Sequence, residues 1–418
     1  MNILTEARNN YLKVGDCASA TTDQPENSNR WTLFQQDMKR LIEAHGDVSQ
    51  AITHAQTCGF DHRVAIAGIE QKILLCRHCL IYEYPQFAEA IDQFTDSNLS
   101  IPSTVAVYNG GPLVGNMLYF HVSYILAVLS FKPDIKTVCE IGGGYGGPAR
   151  LWLTNTISPI KNYTIVDLPE SLFYAEVFLR ATSPSLNIVY CKTKKDFQNT
   201  RENTVYLVPI QLAHHTSTMK FDLVTNTGSL AELSDDWVGF WSRWLNAQQC
   251  NLFYSHNYFG ISVDRLFESR NIFAPLTPAG WRTSRVRINP PLMLLQSAER
   301  NVAEIMMVRT DSGVNREWIY QIQNLQQDDP LTLRDFAYFL FNLPAPEQCD
   351  ARSELKLLKK ALADLSFVPK ELIYLASRIS SAASIAELTA DEKDYVHSAL
   401  RKLQETYEAN YPQGRHTE

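Results

Sequence analysis

The sequence predicts an α/β protein: a Rossmann-like, doubly wound parallel sheet flanked by N-terminal and C-terminal helical regions. Three observations carry that expectation. From residue 135 onward, short β-rich runs alternate with helical stretches, the pattern of parallel strands joined by crossover helices. The first run, Lys136–Ile141, leads straight into a glycine-rich turn, Gly142-Gly143-Gly144-Tyr145-Gly146-Gly147, and then into a helix beginning near Pro148. Outside residues 135–310 the β-rich runs give way to helical patterns.

Residues 1 to about 30 are rich in Asn, Thr, Ser and Asp and are expected to fray. Trp31 to about Phe94 reads as several helices, with Leu33, Met38, Leu41 and Ile42 at helical spacing. Ser97–Val114 is irregular, with Ile101-Pro102 and Asn109-Gly110-Gly111-Pro112, and leads into an aromatic-rich helix, Gly115–Phe131, that Lys132-Pro133-Asp134 ends. The N-terminal helices and the 101–131 segment are expected to form a lid over the open end of the sheet. Strands are expected at Lys136–Ile141, Asn162–Val166, Asn187–Cys191, Thr204–Val208, Phe221–Asn226 and Asn251–Ser255. Thr283–Ile288, Leu292–Leu294 and Ala303–Val308 read as a closing group at one edge. After Asp311, Asn315–Tyr411 reads as helices broken at Pro330, Pro344, Pro346 and Pro369, with Thr389-Ala390-Asp391-Glu392 a capping box for the last. The division is therefore 1–134, 135–310 and 311–418, the last a helical cap or a dimerisation element that would make a homodimer.

At 418 residues, with 45% hydrophobic and 11% aromatic residues, the chain can bury a large core across two or three units. A net charge of −7 argues against gripping nucleic acid through its phosphates. No apolar run reaches membrane-spanning length, and the N-terminus lacks the build of a signal peptide, so a cytoplasmic protein is expected. The eight cysteines are dispersed, as reduced thiols are. Cys76-Arg77-His78-Cys79 invites a metal reading, but no second pair completes four ligands, and small core residues on a helix explain it better.

Glycines at 142, 144 and 146 allow a tight turn and let backbone approach a ligand. The helix N-terminus behind them presents unpaired N–H groups to a carboxylate or phosphate. Because Gly142, Gly144 and Gly147 also satisfy GxGxxG, NAD must be weighed against S-adenosylmethionine (SAM). Glu140 favours SAM: it sits where dinucleotide folds usually carry an apolar residue, and a carboxylate there can pair with SAM's amino group or orient the loop. Asp167, closing the second strand, can take both ribose hydroxyls in either cofactor.

The order of motifs resembles a bacterial family of sugar O-methyltransferases. The residues that carry the likeness are EIGGGYGG (140–147), TIVDLPESL (164–172), NTGSLAEL (226–233) and YSHNYF (254–259), within roughly residues 100 to 310. The first string occurs in many methyltransferases, although Tyr145 between paired glycines is typical of this family. The resemblance implies a class I methyltransferase fold and methyl transfer from SAM to a sugar hydroxyl of a polysaccharide or glycosylated metabolite. It implies that Glu140, Gly142, Gly144 and Gly146, with Tyr145 among them, form the floor under methionine and ribose. Asp167 would hold the ribose diol, Leu168 would pack on adenine, Gln211 would contact adenine, and Asn226 would face the methyl donor.

A sugar hydroxyl is a very weak acid, so a general base is worth roughly 10²–10⁴-fold. His256, just after the strand Asn251–Ser255, is the first candidate, its imidazole suited to base work near neutrality. A loop histidine that binds substrate or only packs is the plainer reading. Glu232 follows Phe221–Asn226 and serves as base, as partner to a histidine, or as a first-turn glutamate favoured by the helix dipole. His214 and His215 follow Gln211 in a loop. Ser234-Asp235-Asp236 brings a magnesium ion to mind, but Ser234 as N-cap with two acids in the first turn is the better reading, and no metal ligand is assigned. The face Trp237, Phe240, Trp241, Trp244 reads as core rather than a sugar platform, whereas Tyr108, Tyr119, His121, Tyr258 and Phe259 come from segments expected to overhang the cofactor. Three rival readings remain: an NAD-dependent oxidoreductase, a methyltransferase-like scaffold that binds a partner without catalysis, and methyl transfer to a hydroxyl on a peptide or lipid-linked intermediate.

Overall fold

The computed structural model describes residues 2–15, 29–56, 84–99, 117–197, 201–230, 233–262, 281–288, 300–309 and 388–410. It also describes 73–74, 76–78, 80–81, 105–107, 113–115 and scattered positions from 352 to 386. In chain order the elements are α1 (Ile3–Gly15), α2 (Asn29–Ala44), α3 (Val48–His54), β1 (Val105–Val107), β2 (Leu113–Gly115), α4 (Leu118–Phe131), β3 (Thr137–Ile141), α5 (Gly147–Thr154), β4 (Asn162–Asp167), α6 (Pro169–Thr182), β5 (Asn187–Tyr190), β6 (Thr204–Pro209), β7 (Leu223–Thr227), α7 (Asp235–Ala247), β8 (Leu252–Ser262), β9 (Trp281–Ile288), β10 (Arg300–Arg309) and α8 (Ala390–Asn410).

Among the described residues, eight strands form one sheet in the order β5-β6-β4-β3-β7-β8-β10-β9, and β1 pairs with β2 in a small antiparallel ribbon. From β5 to β8 every pairing is parallel, which needs a crossover between strands and explains the alternation seen in the sequence. The last strand, β10, lies antiparallel between β8 and β9. Starting at β3, the chain builds outward through β4, then returns past β3 to β7 and β8, so the order reverses between β3 and β7. Ligands of open α/β sheets bind at such a reversal, beyond the carboxyl ends of the strands. Counting from β3, seven strands follow the class I methyltransferase arrangement, and β5 is an eighth strand added at the edge of β6.

Two apolar layers cover the sheet. On one face Val138, Tyr163, Ile165, Val205, Leu207 and Tyr254 pack against α4, α5 and α6. On the other, Cys139, Val166, Tyr206, Val208 and Phe253 pack against α7 and the 3-10 helix Ile210–Thr218. Strand β6, covered on both faces and flanked by two strands, is buried at all six positions, as a continuous apolar run should be.

Helix α4 differs from its expected role as part of a lid. Eleven of its fourteen residues are buried, Tyr119 and His121 among them, and it lies in the layer against the sheet. A helix apolar around most of its circumference must be covered on most sides. Helices α1 to α3 dock on α6, where Asn10 Nδ2 donates to Glu176 (2.8 Å), the Tyr11 hydroxyl to Glu170 (3.2 Å), and His45 Nε2 lies 3.0 Å from the Tyr174 hydroxyl. Part of the expected frayed N-terminus is therefore an ordered helix, α1, held by buried Leu4, Ala7, Tyr11 and Val14.

Smaller expectations also meet the structure here. Cys76 is buried in the core and Arg77 pairs with Asp92, while Cys79 lies outside the described residues. Ser234 stands at the start of α7, yet its hydroxyl makes no capping hydrogen bond. The capping box at Thr389 is formed: Glu392 accepts from the Thr389 backbone N–H at 2.9 Å, and Thr389 Oγ1 accepts from the Glu392 N–H at 3.4 Å. Leu292–Leu294 and nearly all of 310–387 lie outside the described residues. No helix among the described residues is long and apolar enough to cross a membrane.

Candidate functional site

The site starts at the end of β3. Gly142, Gly144 and Gly146 all have positive φ (71°, 55° and 84°), the left-handed region that a Cβ disfavours. Gly142 N–H donates to Val166 C=O at 2.9 Å, so the turn continues the pairing with β4 for one more residue. Gly144 N–H then donates to Asp167 Oδ2 at 2.8 Å, and Leu168 N–H donates to Oδ1 at 2.7 Å. The carboxylate at the tip of β4 is thus clamped by backbone beside the turn. Each of its oxygens keeps further acceptor capacity for a ligand hydroxyl. Removal from water raises its pKa from 3.8 to about 6, against the lowering effect of the Leu168, Gly144 and Ser171 hydrogen bonds.

Glu140, in β3, is fully buried beneath the turn. Its Oε2 accepts from the Tyr163 hydroxyl at 2.8 Å and its Oε1 from Thr227 Oγ1 at 3.3 Å. Burial pushes its carboxyl up from 4.5 to about 7, with the two hydroxyl donors opposing. Of the two roles open to this acid, orienting the loop is the one its position serves. Asn226, at the end of β7, is likewise fully buried. Its Nδ2 donates to Ile141 C=O (2.6 Å) and to Ser229, while its Oδ1 accepts from Leu230 N–H (3.2 Å) and Asn257 Nδ2 (2.7 Å). The expected outlook toward a methyl donor gives way to a bracket that ties β3, β7 and β8 together at the reversal. Tyr145 is buried against Phe178 of α6, with ring centroids 4.7 Å apart.

Between these elements lies a small cleft that opens to solvent. Leu168, Ile210, Trp237 and Trp241 form its apolar walls, and Asp167 and Ser229 are its polar side chains. An apolar slot beside a clamped carboxylate suits a nucleoside: the base fills the slot and the sugar diol meets the acid. The glycine turn adds the close backbone approach, because a Cβ on Gly142 would come within 2.6 Å of Ser229 Cβ. These residues therefore fit an adenosine-bearing cofactor. Leu168 is in the wall as expected. Gln211 follows Ile210 in the 3-10 helix, and its Oε1 is buried without a hydrogen-bond partner among the described residues. Trp237 and Trp241, read from sequence as core, are both core and wall.

The base candidates separate. His256 lies inside β8, whose pairing with β10 carries the strand on to Ser262, and not in a loop after it. It is 1% exposed, with Nδ1 3.3 Å from the Tyr124 hydroxyl and its ring 5.0 Å from that of Phe120. In register it pairs with Thr227 of β7 and Glu304 of β10, level with the reversal. Glu304 accepts from the Tyr254 hydroxyl at 2.9 Å. His214 and His215 lie in the 3-10 helix on the opposite face, their rings 3.7 Å apart, and His215 is held below the usual imidazole range by burial, His214 and Lys194. Glu232, Tyr108 and the side chains of Tyr258 and Phe259 lie outside the described residues. Among the described residues no group of three or more His, Cys, Asp and Glu could hold a metal ion.

Tyr163, Thr227, Ser229, Asn257 and Glu304 were not singled out from sequence. The roles of Tyr163, Thr227, Asn257 and Glu304 arise from contacts between strands, for which the chain carries no local signal, whereas Ser229 meets Asn226 within the turn that follows β7.

The sequence matches no protein-family model and no curated protein. Solved structures show only distant similarity. Sp1610 of Streptococcus pneumoniae, assigned to tRNA (m1A22) methylation, is 10% identical with a TM-score of 0.31, over 68% of this chain and 97% of its own. The 16S rRNA methylase ArmA is 12% identical (TM-score 0.33; 56% of this chain, 98% of its own). The pyocyanin biosynthetic protein PhzM is 13% identical (TM-score 0.31; 46% and 56%). Likeness this distant assigns neither substrate nor residue roles; the strand order of the chain itself is what makes the fold a class I methyltransferase fold.

Proposed function

We propose that the protein is an SAM-dependent O-methyltransferase that transfers a methyl group to a sugar hydroxyl of a polysaccharide or glycosylated metabolite. One observation carries the choice of cofactor. Dinucleotide folds repeat the nucleotide-binding half-sheet and continue parallel to a sixth strand. Here the parallel run ends at β8, and the strands beyond it are the antiparallel pair β10 and β9, a departure from the dinucleotide arrangement that supports SAM over a nicotinamide. The sugar acceptor rests on the motif resemblance at 140–147, 164–172, 226–233 and 254–259.

SAM, when bound, supplies an activated methyl group on a sulfonium. The chain's own residues bind, orient and move a proton. Asp167 accepts from the ribose hydroxyls, Leu168, Ile210, Trp237 and Trp241 enclose the base, and Glu140 and Asn226 hold the turn and the strand ends rigid. His256 is the proton acceptor: with its Nδ1–H donating to the Tyr124 oxygen, Nε2 carries the lone pair that takes the hydroxyl proton. Phe120 packs edge-on against its ring, with centroids 5.0 Å apart.

The test is calorimetric titration of the full chain with S-adenosylhomocysteine, with NADH as control, followed by methyl transfer to sugar acceptors with and without magnesium. Saturable thioether binding and labelled sugar are the expected results. Binding of NADH instead, or of neither, overturns the reading. Thioether binding with no turnover on any acceptor leaves a scaffold rather than an enzyme.

A further inference from the structure

We infer that the acceptor sugar is anionic and that Arg287 and Arg285 of β9 hold its negative group, an inference that deepens the proposed methyl transfer and rests on it. Strand β9 reads Trp281-Arg282-Thr283-Ser284-Arg285-Val286-Arg287-Ile288, with three arginines and no acid, in a chain whose net charge is −7. Simple alternation would split the arginines, since residues 282 and 285 fall on opposite faces of a regular strand. The pairing with β10 breaks that alternation. Thr283 lies opposite Met307 and Arg285 opposite Met306, so Ser284 is the extra residue of a β-bulge. Arg282, Arg285 and Arg287 are therefore partners of Val308, Met306 and Glu304, every second residue of β10, and share one face with them. Trp281, Thr283, Val286 and Ile288 occupy the other face, opposite Arg309, Met307, Ile305 and Ala303. Apolar packing explains that second face, because Trp281, Ile305 and Met307 belong to one buried layer. It does not explain three like charges gathered on the first, where their mutual repulsion opposes folding.

The arginine face is also the face of His256. Met306 and Tyr254 belong to the layer that includes α4, and Tyr254 and His256 are two residues apart on β8. Thr227, His256, Glu304 and Arg287 form one row across β7, β8, β10 and β9. Two strand spacings put Arg287 about 10 Å from His256. Arg285 stands in the next row, level with Tyr254, and Arg282 is furthest away, level with Leu252. Glu304 is the one acid at the paired positions of this face on β8, β10 and β9, and its Oε2 accepts from the Tyr254 hydroxyl at 2.9 Å. One carboxylate balances one arginine, so the face keeps an excess of positive charge beside the proposed base. Charge on an edge strand also discourages strand addition, but that does not require a face shared with His256. An anion on the acceptor offsets the excess. The interval suits one sugar, or two joined sugars, with the methylated hydroxyl at His256 and a carboxylate or phosphate toward β9. Guanidinium groups bind both anions in bidentate fashion, so a uronic acid and a sugar phosphate share the required chemistry.

The experiment is transfer of labelled methyl from SAM by the full chain to three sets of acceptors: methyl uronides, hexose phosphates and the matching neutral methyl glycosides. Wild type should favour one anionic set over the neutral set by about tenfold or more in kcat/KM, and the set that reacts identifies the anion. Arg287→Gln should raise KM for that acceptor about 10- to 100-fold, the scale of a lost hydrogen bond between charged groups, with kcat and S-adenosylhomocysteine affinity unchanged. Arg285→Gln should act in the same direction, Arg287→Lys should recover part of the loss, and Arg282→Gln should leave KM as it is. Thermal unfolding of each variant separates a folding defect from lost recognition. If Arg287 only neutralises Glu304, a folded Arg287→Gln keeps its KM, and the inference is overturned. A preference for neutral glycosides overturns it too, while leaving the sugar methyltransferase standing. Single-stranded RNA that binds wild type and binds Arg287→Gln less tightly assigns the arginines to nucleic acid, which also overturns it. Transfer to no sugar, with S-adenosylhomocysteine still bound, overturns the acceptor reading beneath the inference instead.

Discussion

Gly143 lies directly over the carboxylate of Glu140: a Cβ built on Gly143 would come within 2.7 Å of Oε2. Its φ is not in the left-handed region, so the need for glycine at this position comes from the acid and from Ile165, whose Cγ2 a Cβ would approach to 2.9 Å, and not from the turn. The nucleotide turn rests on a buried carboxylate that Tyr163 and Thr227 hold in place.

That arrangement makes stability depend on pH. The Glu140 carboxyl is raised from 4.5 to about 7, so the folded state holds this proton more tightly than the unfolded chain does. Its stabilising contribution is full below about pH 4.5 and is lost as pH rises through 7, an effect on the order of 3 kcal/mol. Glu140→Gln has no such proton and should flatten the dependence between those limits. Urea unfolding at pH 5 and pH 8 checks this; parallel losses in both proteins would assign the dependence to other groups.

Asp167 is expected to control cofactor affinity with the opposite pH sense. Its carboxyl, raised to about 6, must be ionised to accept from two hydroxyls. Affinity for S-adenosylhomocysteine should therefore fall as pH drops below 6, by about tenfold per pH unit for one proton. At pH 7.5 Asp167→Ala should weaken binding by about 10²-fold, the scale of two hydrogen bonds to a charged group. Asp167→Asn should be weak and lack the titration. Calorimetry from pH 5 to 8 reads both; a flat wild-type profile contradicts the role.

Gly142→Ala combines two penalties. The left-handed backbone at φ 71° costs an alanine about 1–2 kcal/mol, and its Cβ meets Ser229. Adding Ser229→Gly removes the collision but not the backbone cost, so the double variant should recover part of the stability. Denaturant unfolding of the single and double variants measures the split; no recovery would mean that the collision is relieved some other way.

His256→Gln, close in volume for a packed position, should bind S-adenosylhomocysteine like wild type and lose roughly 10²–10⁴-fold in turnover. Tyr124→Phe removes the partner of Nδ1 and should shift the pH profile of turnover with little change in cofactor binding. Turnover that survives in a folded His256→Gln passes the role of base to another group.

Much of the site was legible in the sequence because its signals are local. Gly142, Gly144 and Gly146 mark positive φ by residue type, Asp167 ends an apolar run, and the runs at 136–141, 162–166 and 204–208 became strands with ends shifted by at most a residue. A buried parallel strand and a left-handed turn each leave a mark within a few residues of chain. Other features were decided by partners far away. His256 belongs to a strand because β10 pairs alongside it, and α4 is a buried layer because the sheet and α5 take its faces. Glu140 meets Tyr163, 23 residues on, and Thr227, 87 residues on. Trp237 and Trp241 line a cleft because the chain reverses between β3 and β7. Sequence by itself determined the left-handed glycines of the turn and the positions of β3, β4 and β6, since these depend on neighbouring residues. Only the tertiary structure decided which side chains meet, which acids lose their water and which walls enclose the cleft, since those follow from packing between distant segments.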